Sequence, residues 1–510
     1  MKNKSNNQKR SGVLLHITSL PNKYGIGTLG KNAYRFVDFL SECGFSFWEI
    51  LPLEMTSISN SPFQGLTAFG LNQYLIDFSL LMDEGLLTIR DLQGFNFGNN
   101  PRKVDYRKIF KNSNKILYRA YKRFDKTNKD YLALKQTEKY RYYAIYMTLK
   151  EKNDFKAWYD RELRDRYFSK EVEAEVLLEY NDRFSYYIFT QYIFLKQWKA
   201  LKKYANEKNI DIIGEIPHFV GFDCDYVYVH PEYFVLDERQ VMKDVVGFPP
   251  DDFQKAGQVW GNPLYNWNYM KNDNYSFWQE RINQALELFD MVKINHFGGF
   301  YKCYAIPFRD RNGKKGKFVY GPGLKIFENF KDAPLFADDI GSLTRDVEEF
   351  VDNSGYPHVR TIVPALFKFK KTYERIFPSE IEENCLAYIG NHDYYPIRGR
   401  IEKLTHEELM NLILTLDDEC KKLNIDFDNK QTGVSYLSKK IINILYASHA
   451  KYVSLTMQDI LLQDEESRMN KPGETNDNQW TYRFLLSDIT PKIKDNLLNL
   501  NVTYNRFLKK

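Results

Sequence analysis

Side chains able to take part in chemistry gather in four places along this 510-residue chain. The clearest is 291–300, where the apolar run Met291-Val292-Lys293-Ile294 leads into Asn295-His296-Phe297-Gly298-Gly299-Phe300. A short apolar strand running straight into polar residues and a glycine pair is how a barrel strand delivers side chains to a reaction site. Coupled with it are Ala337-Asp338-Asp339-Ile340-Gly341 and Gly390-Asn391-His392-Asp393. A second group joins Gly214-Glu215-Ile216-Pro217 to the run from Gly257 to Tyr265 that carries Gln258 and Trp260. The others are Ser61-Pro62-Phe63-Gln64 and the pair Met457-Gln458-Asp459 and Arg468-Met469-Asn470. Singly, each is weak. A strand-end Asp caps a helix more often than it catalyses, and a Trp in Trp-Gly-Asn-Pro serves equally well as a loop anchor.

The elements that must position these groups follow from apolar runs separated by long amphipathic segments. The runs Gly12–His16, Phe45–Leu51, Asp211–Ile216, Met291–His296, Leu335–Ile340, Val359–Val363, Leu386–Ile389 and Tyr452–Met457 read as strands. Several end at or beside a polar residue: His16, Glu49, Glu215, Asn295, Asp338, His392, Gln458. The pattern predicts an α/β fold, a (β/α)8 TIM barrel whose C-terminal face carries the site. A mostly helical insertion is expected over about 80–205 and irregular loops over that face at about 217–270, both within a single elaborated barrel spanning 11–510. Residues 1–10, with Lys2, Lys4, Lys9 and Arg10, read as a disordered basic tail.

Composition narrows the function classes. Hydrophobic residues are 43%, charged residues 27% and the net charge is +5, so no basic stripe suggests nucleic acid. No apolar run is long enough to span a bilayer, and the start lacks a signal peptide's apolar stretch. Five scattered cysteines without metal spacing point to free thiols and a cytoplasmic setting. The 16% aromatic share suits stacking on sugar rings, although most of these residues must be core.

In order and spacing, the clusters together resemble the 4-α-glucanotransferases called amylomaltases, glycoside hydrolase family 77. The resemblance runs from Arg10-Ser11-Gly12-Val13-Leu14-Leu15-His16, Thr18-Ser19-Leu20-Pro21 and Tyr24-Gly25-Ile26-Gly27 to Trp480-Thr481-Tyr482-Arg483. It implies a barrel that disproportionates α-1,4-glucans through a covalent glycosyl-enzyme, with no metal or cofactor, using a carboxylate nucleophile and a carboxylic acid about 5–5.5 Å apart. A third carboxylate, which the resemblance assigns to Asp393, stabilises the transition state. Sugar contacts carried over are Ser61, Gln258, Trp260, His296, His392 and Asn470.

The sequence departs from that pattern where the chemistry is done. Lys293-Ile294-Asn295-His296 stands where the family has Arg-x-Asp-His, placing an amide at the nucleophile position. Asp338 replaces the family's acid/base Glu, withdrawing the proton donor by roughly 1.5 Å. Glu215 replaces an aspartate, Phe63 a tyrosine, Gly298 an arginine and Tyr301 a glutamate. Loss of a covalent nucleophile costs on the order of 10⁶ in turnover, and misplacement by about 1 Å on the order of 10². The resulting expectation is a maltodextrin-binding amylomaltase homologue whose transfer activity is lost or strongly impaired. An alternative is an active transferase with a rearranged site using Asp338 or Asp339. A third is a barrel repurposed to bind a structural or regulatory partner.

Overall fold

The computed structural model describes residues 8–57, 60–250, 255–338, 344–368, 375–473, 476 and 478–507. Its strands are β1 (Arg10–Leu14), β2 (Phe47–Glu49), β3 (Asp211–Ile216), β4 (Asp244–Phe248), β5 (Gln258–Pro263) and β6 (Met291–Asn295). These are followed by β7 (Lys302–Pro307), β8 (Lys317–Tyr320), β9 (Leu335–Asp338), β10 (His358–Thr361), β11 (Cys385–Tyr388) and β12 (Tyr452–Thr456). Eight close into a parallel barrel in the order β1-β12-β11-β10-β9-β6-β3-β2. All eight apolar runs singled out in the sequence become these strands. Phe45–Leu51 shrinks to its central three residues, and Asp339 and Ile340 lie outside the described residues.

Alternation along β6 shows how the barrel presents its side chains. Val292 and Ile294 are fully buried, while Lys293 and Asn295 share the opposite side of the strand. The contacts of Lys293 with β2, β3 and β9 across the barrel show that this side faces inward. Arg10 corrects the expected tail. It opens β1, and its guanidinium bridges Asp211 Oδ2 at 2.6 Å and the Ser46 carbonyl at 2.8 Å. A basic residue at the chain's start is therefore structural where a buried-side carboxylate awaits it. Gln8 and Lys9 already bond the Phe507 and Ser448 carbonyls.

Between β2 and β3 the chain forms a run of helices that includes Tyr106–Arg123, Glu138–Lys152 and the long Asn181–Glu207. The last buries Tyr186, Tyr187, Phe189, Phe194 and Trp198, and Trp198 Nε1 donates to the Leu288 carbonyl at 3.0 Å. Segment 217–270 is more regular than its composition suggests. Its β4 and β5 join β7 and β8 in an antiparallel sheet ordered β5-β4-β7-β8. One face of that sheet carries Met242, Val245, Tyr304 and Ile306 as a small separate core.

Candidate active site

Four charged side chains meet inside the barrel. Lys293 Nζ lies 3.1 Å from Glu49 Oε1, 3.3 Å from Glu215 Oε2 and 3.3 Å from Asp338 Oδ2. All four are buried, Lys293 and Glu49 completely. Glu49 also accepts hydrogen bonds from Tyr388 at 2.6 Å and Ser454 at 2.7 Å, while the ammonium sits 5.5 Å from the centre of the Tyr388 ring. TIM-barrel interiors are usually filled by branched aliphatic residues, so a charged layer here is a departure that needs balancing.

The balance is visible in the protonation equilibria. Burial pushes the Glu215 carboxyl up to about 8; Lys293 opposes that rise, and Asp338 and Glu49 add to it. Burial opposes charge on Lys293 as well, yet Glu215, Tyr388, Glu49 and Asp338 together hold its pKa well above the ordinary lysine value. At neutral pH the layer thus contains a charged lysine and a Glu215 that retains its proton. Apart from the Lys293 ammonium, neither Glu215 oxygen has a donor within reach among the described residues. Glu215 lines a cleft together with Glu54, Arg281 and Gln284. Burial raises Glu54 to about 7, with Arg281 pulling the other way.

Above this layer, at the C-terminal strand ends, Asn295 and Asp338 are register partners on β6 and β9. Parallel partners point to the same side of the sheet, with strands about 4.8 Å apart. Asn295 is half-buried and Asp338 buried. His296 turns out of the strand with φ +52°, a left-handed conformation uncommon for residues other than glycine. That turn sets its ring edge-on to Trp260 at 5.4 Å and near Phe219 at 5.7 Å. Burial lowers the His296 pKa to about 4, so the imidazole is neutral.

The loop after β11 supplies the remaining polar group. Asn470 Nδ2 donates to Asp393 Oδ1 at 2.6 Å, and its backbone N–H donates to the His392 carbonyl at 3.1 Å. Arg468 donates to the Asp393 carbonyl and, at 2.6 Å, to the Asn470 carbonyl. His392 stacks on Phe63 with centroids 5.0 Å apart and lies 5.6 Å from Trp480. Burial lowers its pKa, Asp393 opposes the fall, and the charges of Lys293, Asp338 and Glu49 also reach it. Gln64 ties this side to β5, donating to the Trp260 carbonyl at 3.3 Å and to Asn262 at 3.0 Å. Gln258 accepts from Trp260 Nε1 at 3.1 Å, and Ser61 Oγ accepts from the Phe63 N–H at 3.2 Å.

The residues singled out in the sequence therefore occupy two levels. Glu215 and Lys293 lie in the interior layer, and Asn295 and His296 lie at the mouth. Asp338 spans the two, being Asn295's register partner and Lys293's ion-pair partner. Ser61, Phe63, Gln258, Trp260, His392, Asp393 and Asn470 belong to the surrounding loops. Glu49, Tyr388 and Ser454 were missed as site residues. Their signal was weak: Glu49 stood only among polar strand ends, and nothing local links it to a serine 405 residues away. Among the described residues no group of three or more His, Cys, Asp or Glu side chains is arranged to hold a metal ion, and no helix is long and apolar enough to cross a membrane.

A closed parallel barrel with carboxylates, imidazoles and aromatics gathered at its C-terminal mouth is a (β/α)8 barrel whose candidate site lies on the face where such barrels carry their chemistry. Comparisons narrow that class. The sequence model of glycoside hydrolase family 77, described as 4-alpha-glucanotransferase, matches residues 15–487. The 4-alpha-glucanotransferase of Aquifex aeolicus (strain VF5) is 36% identical over 492 residues, covering 94% of this chain and 96% of that one. That of Streptococcus pneumoniae (strain TIGR4) is 34% identical over 512 residues, with 98% of each chain covered. Among solved structures, amylomaltase from Streptococcus agalactiae in complex with acarbose superposes with a TM-score of 0.90 at 33% identity, covering 98% of this chain and 100% of that chain. The chain belongs to the 4-α-glucanotransferase (amylomaltase) family, glycoside hydrolase family 77.

Proposed function

We propose that this protein binds α-1,4-glucans at the barrel mouth and that its disproportionation activity is lost or strongly impaired. The observation that carries the reading is Asn295, at the tip of β6 beside its register partner Asp338. Retaining transfer needs two carboxyl groups about 5–5.5 Å apart, one attacking C1 and one protonating the glycosidic oxygen. Neighbouring parallel strands, about 4.8 Å apart, supply that spacing, but one of the two side chains is an amide. An amide oxygen carries no full charge and captures the oxocarbenium carbon far less readily than a carboxylate. Asp338, the acid/base candidate, is short by one methylene and is engaged by Lys293 at 3.3 Å. In this reading Asp393 is the transition-state stabiliser, held by Asn470. Trp260, Gln258, Ser61, Phe63, His296 and His392 contact the sugar, while Lys293 and Glu215 support the mouth from the layer beneath.

The test is incubation of sequence-verified protein with maltotriose, alongside calorimetry with maltoheptaose. Binding without appearance of glucose and longer oligosaccharides is expected; rapid redistribution of chain lengths overturns the reading. A second reading, an active 4-α-glucanotransferase with a rearranged site, is favoured by the names of its full-length relatives at 34–36% identity. Asp339, the other carboxylate in that reading, lies outside the described residues. The maltotriose assay separates the two.

A further inference from the structure

The hairpin of β7 and β8 has no part in the site described above, yet it is built against it. Its tip is pinned at Gly313, whose N–H donates to the Ala256 carbonyl at 2.6 Å and whose carbonyl accepts from Tyr304 Oη at 2.8 Å. A Cβ on Gly257 would lie 2.8 Å from Gly313 Cα, so the tip rests on the backbone immediately before Gln258 and three residues before Trp260. A Cβ on Gly316 would lie 2.2 Å from the Tyr304 ring. The hairpin is thus held rigidly beside the mouth.

The hairpin carries both cations and aromatics, Lys317 lying on the opposite face of β8 from Phe318 and Tyr320. Arg309, Arg311, Lys314, Lys315 and Lys317 fall between the two strands or at the start of β8, and all are exposed. Asp310 is the one acid among them, 3.9 Å from Lys315. Among the described residues no carboxylate lies within ion-pair distance of Arg309, Arg311, Lys314 or Lys317. Phe318 is 48% exposed and Tyr320 67%, and they share one face of β8 about 6.8 Å apart. Phe318 meets the Tyr304 ring edge-on at 5.2 Å and Tyr320 the Tyr301 ring at 5.6 Å, yet both stay exposed on a hairpin whose cations, save Lys315, have no carboxylate partner among the described residues, a combination suited to recognition.

We propose that this hairpin is a second glucan contact that selects chains carrying phosphate monoesters, the rings meeting sugar faces and the guanidinium and ammonium groups meeting phosphate. The proposal rests on the reading that the mouth binds α-1,4-glucan. An anionic lipid surface is the other natural taker of a basic, aromatic hairpin. The position of the tip against the Gln258–Trp260 strand favours a polymer already held at the mouth.

The experiment compares three probes by affinity electrophoresis and vesicle sedimentation: a phosphorylated amylopectin, the same glucan after phosphatase treatment, and phosphatidylglycerol vesicles. The parent protein is expected to bind the phosphorylated glucan roughly tenfold more tightly at low ionic strength, with the gap closing in high salt. The variant R311Q/K314Q/K317Q, altered only at exposed positions, is expected to bind both glucans alike, at the parent's affinity for the dephosphorylated one. Equal affinities in the parent, or a preference that persists in the variant, overturns the proposal. So does capture by vesicles, through the same three residues, stronger than capture by phosphorylated glucan. Failure of the parent to bind the dephosphorylated glucan sinks instead the reading of the mouth, and this proposal with it.

Discussion

Returning a carboxylate to the tip of β6 should restore transfer. Asn295→Asp is nearly isosteric, and the half-buried Asn295 has room to carry charge beside the interior ammonium of Lys293, two residues earlier on the same side of the strand. Asp338→Glu lengthens the partner side chain by roughly 1.5 Å, enough to move its carboxyl away from the interior layer and toward the mouth. A missing nucleophile costs on the order of 10⁶ in turnover and a misplacement of about 1 Å on the order of 10², equivalent to about 8 and about 3 kcal/mol of barrier. Asn295→Asp alone should therefore recover the larger part, Asp338→Glu alone almost nothing, and the double variant most. The assay is glucose release from maltotriose, with the lengthening products resolved by chromatography. Parent samples need mass spectrometry of the Asn295 peptide, because slow deamidation of Asn295 makes the same aspartate. If the double variant is folded and binds maltoheptaose yet releases glucose no faster than its parent, the explanation by these two positions is wrong.

Three further outcomes follow from the interior layer and the mouth. Lys293→Met leaves buried carboxylates without their cation and should cost about 3–5 kcal/mol at pH 8, with the deficit shrinking at pH 5.5 as carboxylates take up protons; urea melts at both pH values read this directly. Glu215 has a raised folded-state pKa, about 8, so its contribution is full below its unfolded value near 4.5 and is lost as pH rises through about 8. Glu215→Gln should accordingly flatten the fall in stability between pH 5 and 9, and a variant that falls as steeply as the parent contradicts the assignment. Trp260→Ala should weaken maltoheptaose binding about tenfold or more while shifting the melting temperature little; a large drop in melting temperature with unchanged binding identifies Trp260 as a loop anchor instead.

Which parts of this molecule its sequence reveals depends on how far apart the interacting groups lie. The barrel strands are legible because each is a local apolar run bounded by polar residues, a pattern contained in five or six positions. The antiparallel sheet is not. Val246 pairs with Ala305 across dozens of residues, and β4 and β5 are broken by Gly247, Gly261 and Pro263, so no local alternation announces them. Asn295 and Asp338 stand out as polar strand ends, and their roles come from the resemblance. That they are side-by-side partners is a matter of register, which the sequence does not display. Lys293 stands in the sequence where the family pattern has an arginine, next but one to the nucleophile position. Its contacts instead run to Glu49, Glu215 and Asp338, partners supplied by three other strands.

That difference bears on why the departures fall where they do. Lys for Arg keeps its charge and Glu for Asp keeps an ionisable carboxyl, and both lie in the fully enclosed layer, where removing the cation strands its partners at a cost of several kcal/mol. Asn for Asp removes a charge, and it lies at the half-open mouth, where water and neighbouring dipoles make the change nearly free for the folded state. Stability thus constrains the interior layer whether or not the protein turns over. Stability constrains the half-open mouth far less, so a change there can alter transfer and leave both the barrel and the surrounding loops in place. On this account the Asn295→Asp variant should melt within a few degrees of its parent, whereas Lys293→Met should not.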